Sequence, residues 1–353
     1  MAISIVKGLS GKYFSCSIPD VEFSMSGVSA DVTIAVDGTD IFNETLFPVG
    51  GIIKLRDLGN LITPYARHSL VVELSLNIQE NFSDGRLAQS ETMSATVIYC
   101  TADFSTNGEP VDAASFCDSH FLSIMLGSKV TSKGRLEFLH YLGNAAASVI
   151  AVYADGSTAI FTPPKVQGNS KYTTIDVSPD RFISQDKTLV AFSVLAGARR
   201  QEYVMDLDVP DCAPVLIFDN SFGCQELVYC TGIHKVAPTY KRSNIYIEGM
   251  LRNYDIEETR TFKADTGVLN VAMANWLDDL FRSSNVRVVN FYNGTPNIGK
   301  EITISDSKSE VSNDDADMPR FTFSYQYAQH NHNVVDLNRA GRIFDNTFDN
   351  TFN

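Results

Sequence analysis

The chain has 353 residues, of which 44% are hydrophobic and 20% charged, with a formal charge of −14. That length and balance suit a globular protein of two or three domains, each with its own core. The acidic charge excludes a phosphate-gripping footprint and with it direct nucleic-acid binding, and no run approaches the eighteen or so apolar residues of a membrane span.

The opening stretch MAISIVKGLSGKYF carries one Lys and a short apolar patch, without the charged, apolar and small-residue zones of a secretory signal. The expectation is an intracellular product, or one released by another route. Cys16, Cys100, Cys117, Cys212, Cys224 and Cys230 form no C-x-x-C pair, and three lie in or beside apolar runs. Reduced thiols in a cytosolic setting are expected.

Strand patterns dominate. VTIAVDG (32–38) ends in Asp37-Gly38, and LVVELSLNI (70–78) alternates apolar Leu70, Val72, Leu74, Leu76 and Ile78 with more polar neighbours. Residues 106–144 change character: apolar positions three and four apart (Phe121, Ile124, Met125; Leu136, Leu139) predict one or two short helices. IAVYADG (150–156) then repeats VTIAVDG, and DKTLVAFSV (186–194) repeats HSLVVELSL (68–76). VLIF (215–218) falls on VIYC (97–100), and all three pairs stand 118 residues apart. The reading is a duplicated β-sandwich-like unit.

Past residue 236 come strands around IYIEGML and ETRTFKA. A helix follows with an apolar stripe of Ala272, Met273, Trp276, Leu277, Leu280 and Phe281, and Thr266 is its expected cap. VRVVNFY, EITISDS, the acidic loop SEVSNDDADMP and RFTFSYQYA complete a β-β-α-β-β-β unit. Asp37-Gly38, Asp155-Gly156 and Asn293-Gly294 are read as type I′ hairpin turns. The chain ends in RIFDNTFDNTFN, with Phe344, Phe348 and Phe352 spaced by four among residues that form helices poorly.

The chemistry-bearing residues do not gather into a motif. His330 and His332 share a strand face but lack a third ligand. Asp314, Asp315 and Asp317 crowd one loop without calcium-loop spacing. Asp206 and Asp208 lie on one face of a presumed strand, where paired carboxylates do acid/base work. There is no nucleophile elbow, P-loop, dinucleotide fingerprint or H-E-x-x-H. The expectation is a protein that is not an enzyme, with no catalytic residues, cofactor or metal.

Residues from about 210 to the end resemble tail-associated virion proteins of bacteriophages and prophages of gut Bacteroidetes. The resemblance rests on Phe222-Gly223, Thr266-Gly267, the Trp276-Leu277-x-x-Leu280 helix, the aromatic strand Phe321 to Tyr327 and the ending RIFDNTFDNTFN. It implies a structural virion protein (distal tail, baseplate or adaptor) that forms a ring-like homo-oligomer. Its implied partners are other copies and other tail proteins, and its place is a virion assembled in the bacterial host cytoplasm. The alternative is a carbohydrate-binding or adhesive β-sandwich protein meeting host glycan.

The resulting expectation is a mainly β chain: two repeated β-sandwich-like domains followed by an α+β (β-β-α-β-β-β) domain that the resemblance makes tail-tube-like. Its divisions are repeat A at 1–105, a short helical insert at 106–145, repeat B at 146–235, the α+β assembly domain at 236–335 and a C-terminal assembly arm at 336–353. Phe344, Phe348 and Phe352 are the arm's expected anchors.

Overall fold

The computed structural model describes residues 3–83, 89–102, 105–106, 109–168, 171–184, 186–292, 295–312 and 318–328. The arm with Phe344, Phe348 and Phe352, the pair His330 and His332, the Asn293-Gly294 turn and Asp314, Asp315 and Asp317 lie outside them. The fold is mainly β.

The first unit contains β1 (Ser4–Lys7), β2 (Lys12–Phe14), β3 (Val21–Ser24), β4 (Ser29–Val36), β5 (Thr39–Leu46), β6 (Ile52–Leu55), α1 (Leu58–Ser69), β7 (Val71–Asn81) and β8 (Gln89–Ile98). A five-stranded sheet runs β2-β8-β7-β4-β5, with β2 parallel to β8, and a three-stranded sheet runs β1-β3-β6. Their inner faces meet in one core: Val32, Ile34, Leu74 and Leu76 from the larger sheet, Val21, Phe23 and Ile53 from the smaller. Leu58, Ile62 and Ala66 of α1 join it, one per turn along a single helix face.

Next come the two-residue strands β9 (Ser105–Thr106) and β10 (Glu109–Pro110), and α2 (Ala113–Ser119). Asp112 caps α2 by accepting from Ser115 N at 2.8 Å. Neither expected stripe is helical: α2 ends before Phe121, Ile124 and Met125, and Phe138–Leu142 forms a strand, because Leu139 and Tyr141 point into a sandwich core with period two.

The second unit comprises β11 (Lys129–Thr131), β12 (Phe138–Leu142), β13 (Ala147–Tyr153), β14 (Thr158–Phe161), β15 (Lys165–Gly168), β16 (Tyr172–Asp176), β17 (Leu189–Ala196) and β18 (Arg199–Met205). Its large sheet runs β11-β18-β17-β13-β14, again with a parallel edge strand, and its small one runs β12-β16-β15. The two large sheets therefore share one strand order. The offset of 118 nevertheless holds in the structure only for the middle pair, where Leu74 and Leu76 correspond to Phe192 and Val194 and all four face a core. Val32, Ile34 and Val36 face inward, whereas the residues aligned with the first two, Ile150 and Val152, are half-buried and Val149, Ala151 and Tyr153 face the core. A one-residue slip exchanges the faces of a strand. The third pair fails altogether, since β18 occupies the place of β8 and VLIF lies in another sheet. Repeat B thus starts within the presumed insert, and its sheets end at Met205 rather than 235.

The third unit holds β19 (Val215–Asp219), β20 (Gln225–Tyr229), β21 (Lys235–Ile247), β22 (Met250–Asp265), α3 (Val271–Trp276), α4 (Asp278–Arg282), β23 (Val286–Tyr292), β24 (Thr295–Lys308) and β25 (Thr322–Tyr327). The sheet is antiparallel, in the order β20-β19-β23-β24-β25-β22-β21. The helical pair packs Ala274, Trp276, Leu277 and Leu280 onto Leu216, Phe218, Phe262 and Tyr325. The cap is Asn270, whose Oδ1 accepts from Met273 N at 2.8 Å, and not Thr266. Gly267, at φ 77°, breaks the chain between them.

The units interlock. Phe222 stacks on Phe116 of α2 at 5.6 Å and meets Phe14 edge-on at 5.8 Å, tying the third unit to the first. Leu136 and Phe138 pack on Val215, Leu227 and Val289, and His140 and Lys129 reach the Gln225 and Leu227 carbonyl oxygens, so the second unit covers the β20 edge.

Candidate functional site

Two places merit attention, a cleft and a projecting hairpin. The cleft, of about 450 Å³, lies where the first unit meets the third and is lined by Arg67, Tyr99, Asp219, Asp279 and Arg282 among others. Its charged groups are engaged with its own walls. Asp279 accepts from Ser221 N at 3.0 Å and Ser221 Oγ at 2.5 Å, and burial raises its pKa. Arg67 Nη2 donates to Ser284 Oγ at 2.8 Å, Asn285 Nδ2 to Asp219 Oδ2 at 2.8 Å, and Arg282 pairs with Asp278 at 3.6 Å. These bonds fasten the 219–223 turn to α4 and Asn285, and α1 to the segment after α4, so the cleft reads as a seam.

The strand face that Asp206 and Asp208 would share is not formed. Asp206 and Asp208 lie past the end of β18, in a turn where Asp208 N donates to Asp206 Oδ1 at 3.1 Å. Among the described residues, no group of three or more His, Cys, Asp or Glu is placed to hold a metal.

The hairpin is built differently from the rest of the chain. β21 and β22 pair along their whole length, but β25 accompanies β22 only from Phe262 to Asp265. β25 reaches Tyr327, and Gln326 Nε2 donates to Thr261 Oγ1, so residues 250–259 project past it by about 33 Å, at roughly 3.3 Å per residue. The turn is Glu248-Gly249, with φ of 53° and 76°, as type I′ geometry requires.

The shaft of the hairpin is polar. Tyr240 OH donates to Glu258 Oε1 at 3.4 Å, Arg260 Nε to the same oxygen at 2.5 Å, and Arg242 lies 5.2 Å over the Tyr240 ring. On the opposite face Lys241 pairs with Glu257 at 3.7 Å. Beyond a bulge at Ser243/Asn244 the character changes. Ile245, Tyr246, Ile247, Met250 and Leu251 cluster around the turn, with Tyr254 at the bulge, and all are exposed, Tyr246 at 73% and Tyr254 at 69%. An isolated two-stranded hairpin is marginal in water, and an apolar cluster at its end marks a contact surface. β21, the outer strand of the sheet, carries Lys235, Pro238, Lys241 and Arg242, which discourage further strand addition. What the hairpin offers for a contact is therefore the side chains at its tip rather than its strand edge.

No family model matches this chain. No curated protein matches it either. Among solved structures, the I-band fragment I67-I69 from titin is similar at 8% identity over 93% of this chain and 89% of that chain, with a TM-score of 0.19. A likeness of that size carries no argument.

The tip was missed in the sequence because IYIEGML reads as ordinary strand residues. The available signal was a Glu-Gly turn with apolar residues pressed against it on both sides, where a solvent-facing turn would ordinarily be flanked by polar ones.

Proposed function

We propose that this chain is a structural virion protein of a bacteriophage tail (distal tail, baseplate or adaptor) that assembles into a ring-like homo-oligomer. The observation that carries the self-assembly is the hairpin: a rod of about 33 Å with an apolar tip, on a sheet whose other edge is already covered. The resemblance of residues 210–353 to tail-associated proteins supplies the virion setting. The charge of −14 favours protein neighbours over nucleic acid. The arm at 336–353, with Phe344, Phe348 and Phe352 as anchors, remains part of the proposal as a second contact.

The carbohydrate-binding alternative calls for a row of exposed rings on a sandwich face. Among the described residues of the two sandwiches, the exposed aromatic rings are Phe47, just after β5, and Tyr65, in α1, which do not form such a row.

Light scattering after gel filtration, with electron microscopy of the peak, tests the proposal. The full chain is expected to give one defined oligomer with a ring outline. A variant with Tyr246→Ser and Leu251→Ser is expected to run as a monomer with an unchanged circular dichroism spectrum, and truncation after Val335 shows what the arm adds. A full chain that stays monomeric at every concentration overturns the reading.

A further inference from the structure

The end of the seven-stranded sheet away from the tip carries a second apolar patch. β22 runs from Met250 at the tip to Asp265 at the base, and the chain then turns through Thr266 to Val271. Around that turn Leu126, Ile233, Val268, Val271 and Met318 are all exposed, between 58% and 64%. Hydrogen bonds bring these residues together from four segments. Gly232 N donates to Asp265 O at 3.1 Å, Leu269 N to Pro319 O at 2.9 Å, and Asn270 Nδ2 to Ser128 O at 2.9 Å. The backbone at Gly127 approaches so closely that a Cβ there would lie 2.6 Å from Ala272 Cβ.

We infer that this base patch receives the hairpin tip of a second copy of the chain, so that copies join head to tail. The inference rests on the self-assembly proposed above and specifies its geometry. Three observations support it. Both surfaces group exposed apolar side chains in a chain of 20% charged residues. With five or six large, half-exposed side chains apiece, each offers on the order of 500 Å² or more, approaching the 800 Å² or so that each partner contributes to a standard interface. Finally, the sixteen residues of β22 hold tip and base about 50 Å apart on one continuous strand, so a chain cannot satisfy its own tip. A contact between two different patches is heterologous: repeated, it closes into a ring or runs on as a filament, whereas a tip-to-tip contact stops at two.

Two variants of the full chain test this by complementation. Tyr246→Asp with Leu251→Asp disables the tip, and Val268→Asp disables the base. All three positions are exposed or half-buried on the surface, so folding survives, and circular dichroism checks it. Each variant alone is expected to be monomeric by light scattering. Their equimolar mixture should form a one-to-one heterodimer and nothing larger, because one working tip meets one working base.

If the tip variant dissociates while the base variant still forms the full oligomer, head-to-tail joining is wrong and self-assembly through the tip stands. Two monomeric variants whose mixture stays monomeric overturn the inference as well. An unmutated chain that is itself monomeric removes both this inference and the assembly reading beneath it.

Discussion

The ammonium of Lys129 lies 4.3 Å above the ring of Trp276, joining β11 of the second sandwich to α3 of the third unit. The same Nζ pairs with Glu137 at 2.7 Å, Glu137 accepts from Thr131 Oγ1 at 3.0 Å, and the Trp276 indole N–H donates to Glu226. Every member is buried. A charge pair removed from water is costly to break on one side and far less so to remove whole. Lys129→Met should therefore cost about 3–5 kcal/mol of stability by stranding the Glu137 carboxylate. The double variant Lys129→Met, Glu137→Gln should regain most of it. Urea unfolding of the singles and the double, read by the fluorescence of this sole tryptophan, decides. A single-variant cost below about 1 kcal/mol means that the Glu137 carboxylate is not left stranded when Lys129 is removed.

Gly223 tests the seam between the first and third units. Its φ is 72°, and an added Cβ would meet Leu70 Cδ2 at 2.8 Å and Tyr99 at 3.1 Å. Gly156 has a similar φ of 79° with nothing within 4 Å of an added Cβ. Gly156→Ala should cost about 1–2 kcal/mol, the backbone strain alone. Gly223→Ala should cost about 1–3 kcal/mol more, from overpacking. Equal losses at the two sites in urea unfolding would show that the seam yields without penalty.

Much of the architecture was legible because period-two alternation reports which side of a strand is wet, as it does from Val72 to Ile78 and from Phe321 to Tyr327; Leu70, read with the first, instead caps α1. The Asp37-Gly38 turn was legible for a similarly local reason: both residues have positive φ, and Val36 pairs directly with Thr39. Asp155-Gly156 shows the limit. Only Gly156 is left-handed there, and Tyr153 N reaches Ser157 O, a bulged turn that the dipeptide alone does not distinguish. α1 was hidden because Gly59 and Pro64 both argue against a helix, yet Leu58, Ile62 and Ala66 bury one face against the sandwich and tertiary packing overrides propensity. Strand partners were least legible. Nothing local in VLIF says that it pairs with β23 rather than closing the second sandwich, because pairing is decided by residues some seventy positions away. The hairpin tip escaped for the complementary reason: apolar strand residues imply burial, and its exposure follows only from where β25 ends.

The thiols should sort by burial. Cys100, Cys117, Cys224 and Cys230 are buried and Cys16 is exposed. Burial raises the pKa of Cys117 to about 12 and pushes Cys224 and Cys230 higher. The Cys100 thiol is raised chiefly by its hydrogen-bond partner Cys16 and then by burial. Since the thiolate is the reactive form, iodoacetamide at pH 8 should modify Cys16 in the native protein and reach the four buried thiols only after unfolding. Peptide mass mapping reads the order. Early labelling of Cys224 or Cys230 would mean that the sheet holding them opens far more readily than its packing implies.

His140 sets an acid limit. It sits between the second and third units, with Nδ1 2.9 Å from Thr174 Oγ1 and Nε2 2.9 Å from the Gln225 carbonyl oxygen. A carbonyl only accepts, so Nε2 carries the proton and the Thr174 hydroxyl donates to Nδ1. Burial lowers the pKa of this neutral ring from 6.5 to about 4, with the Gln225 bond opposing the shift. The unfolded chain therefore takes up a proton near pH 6.5 that the folded chain refuses until about pH 4. His140's contribution is intact above 6.5 and falls as the pH drops through that window, by up to on the order of 3 kcal/mol. His140→Gln keeps a donor and an acceptor but cannot charge, so its stability should fall less between pH 7 and 4. Burial also lowers the pKa of His234, and many carboxylates titrate in the same range, so the informative quantity is the difference between the two profiles. Parallel profiles from urea unfolding across that range would show that His140 is protonated in the folded protein as readily as in the unfolded one.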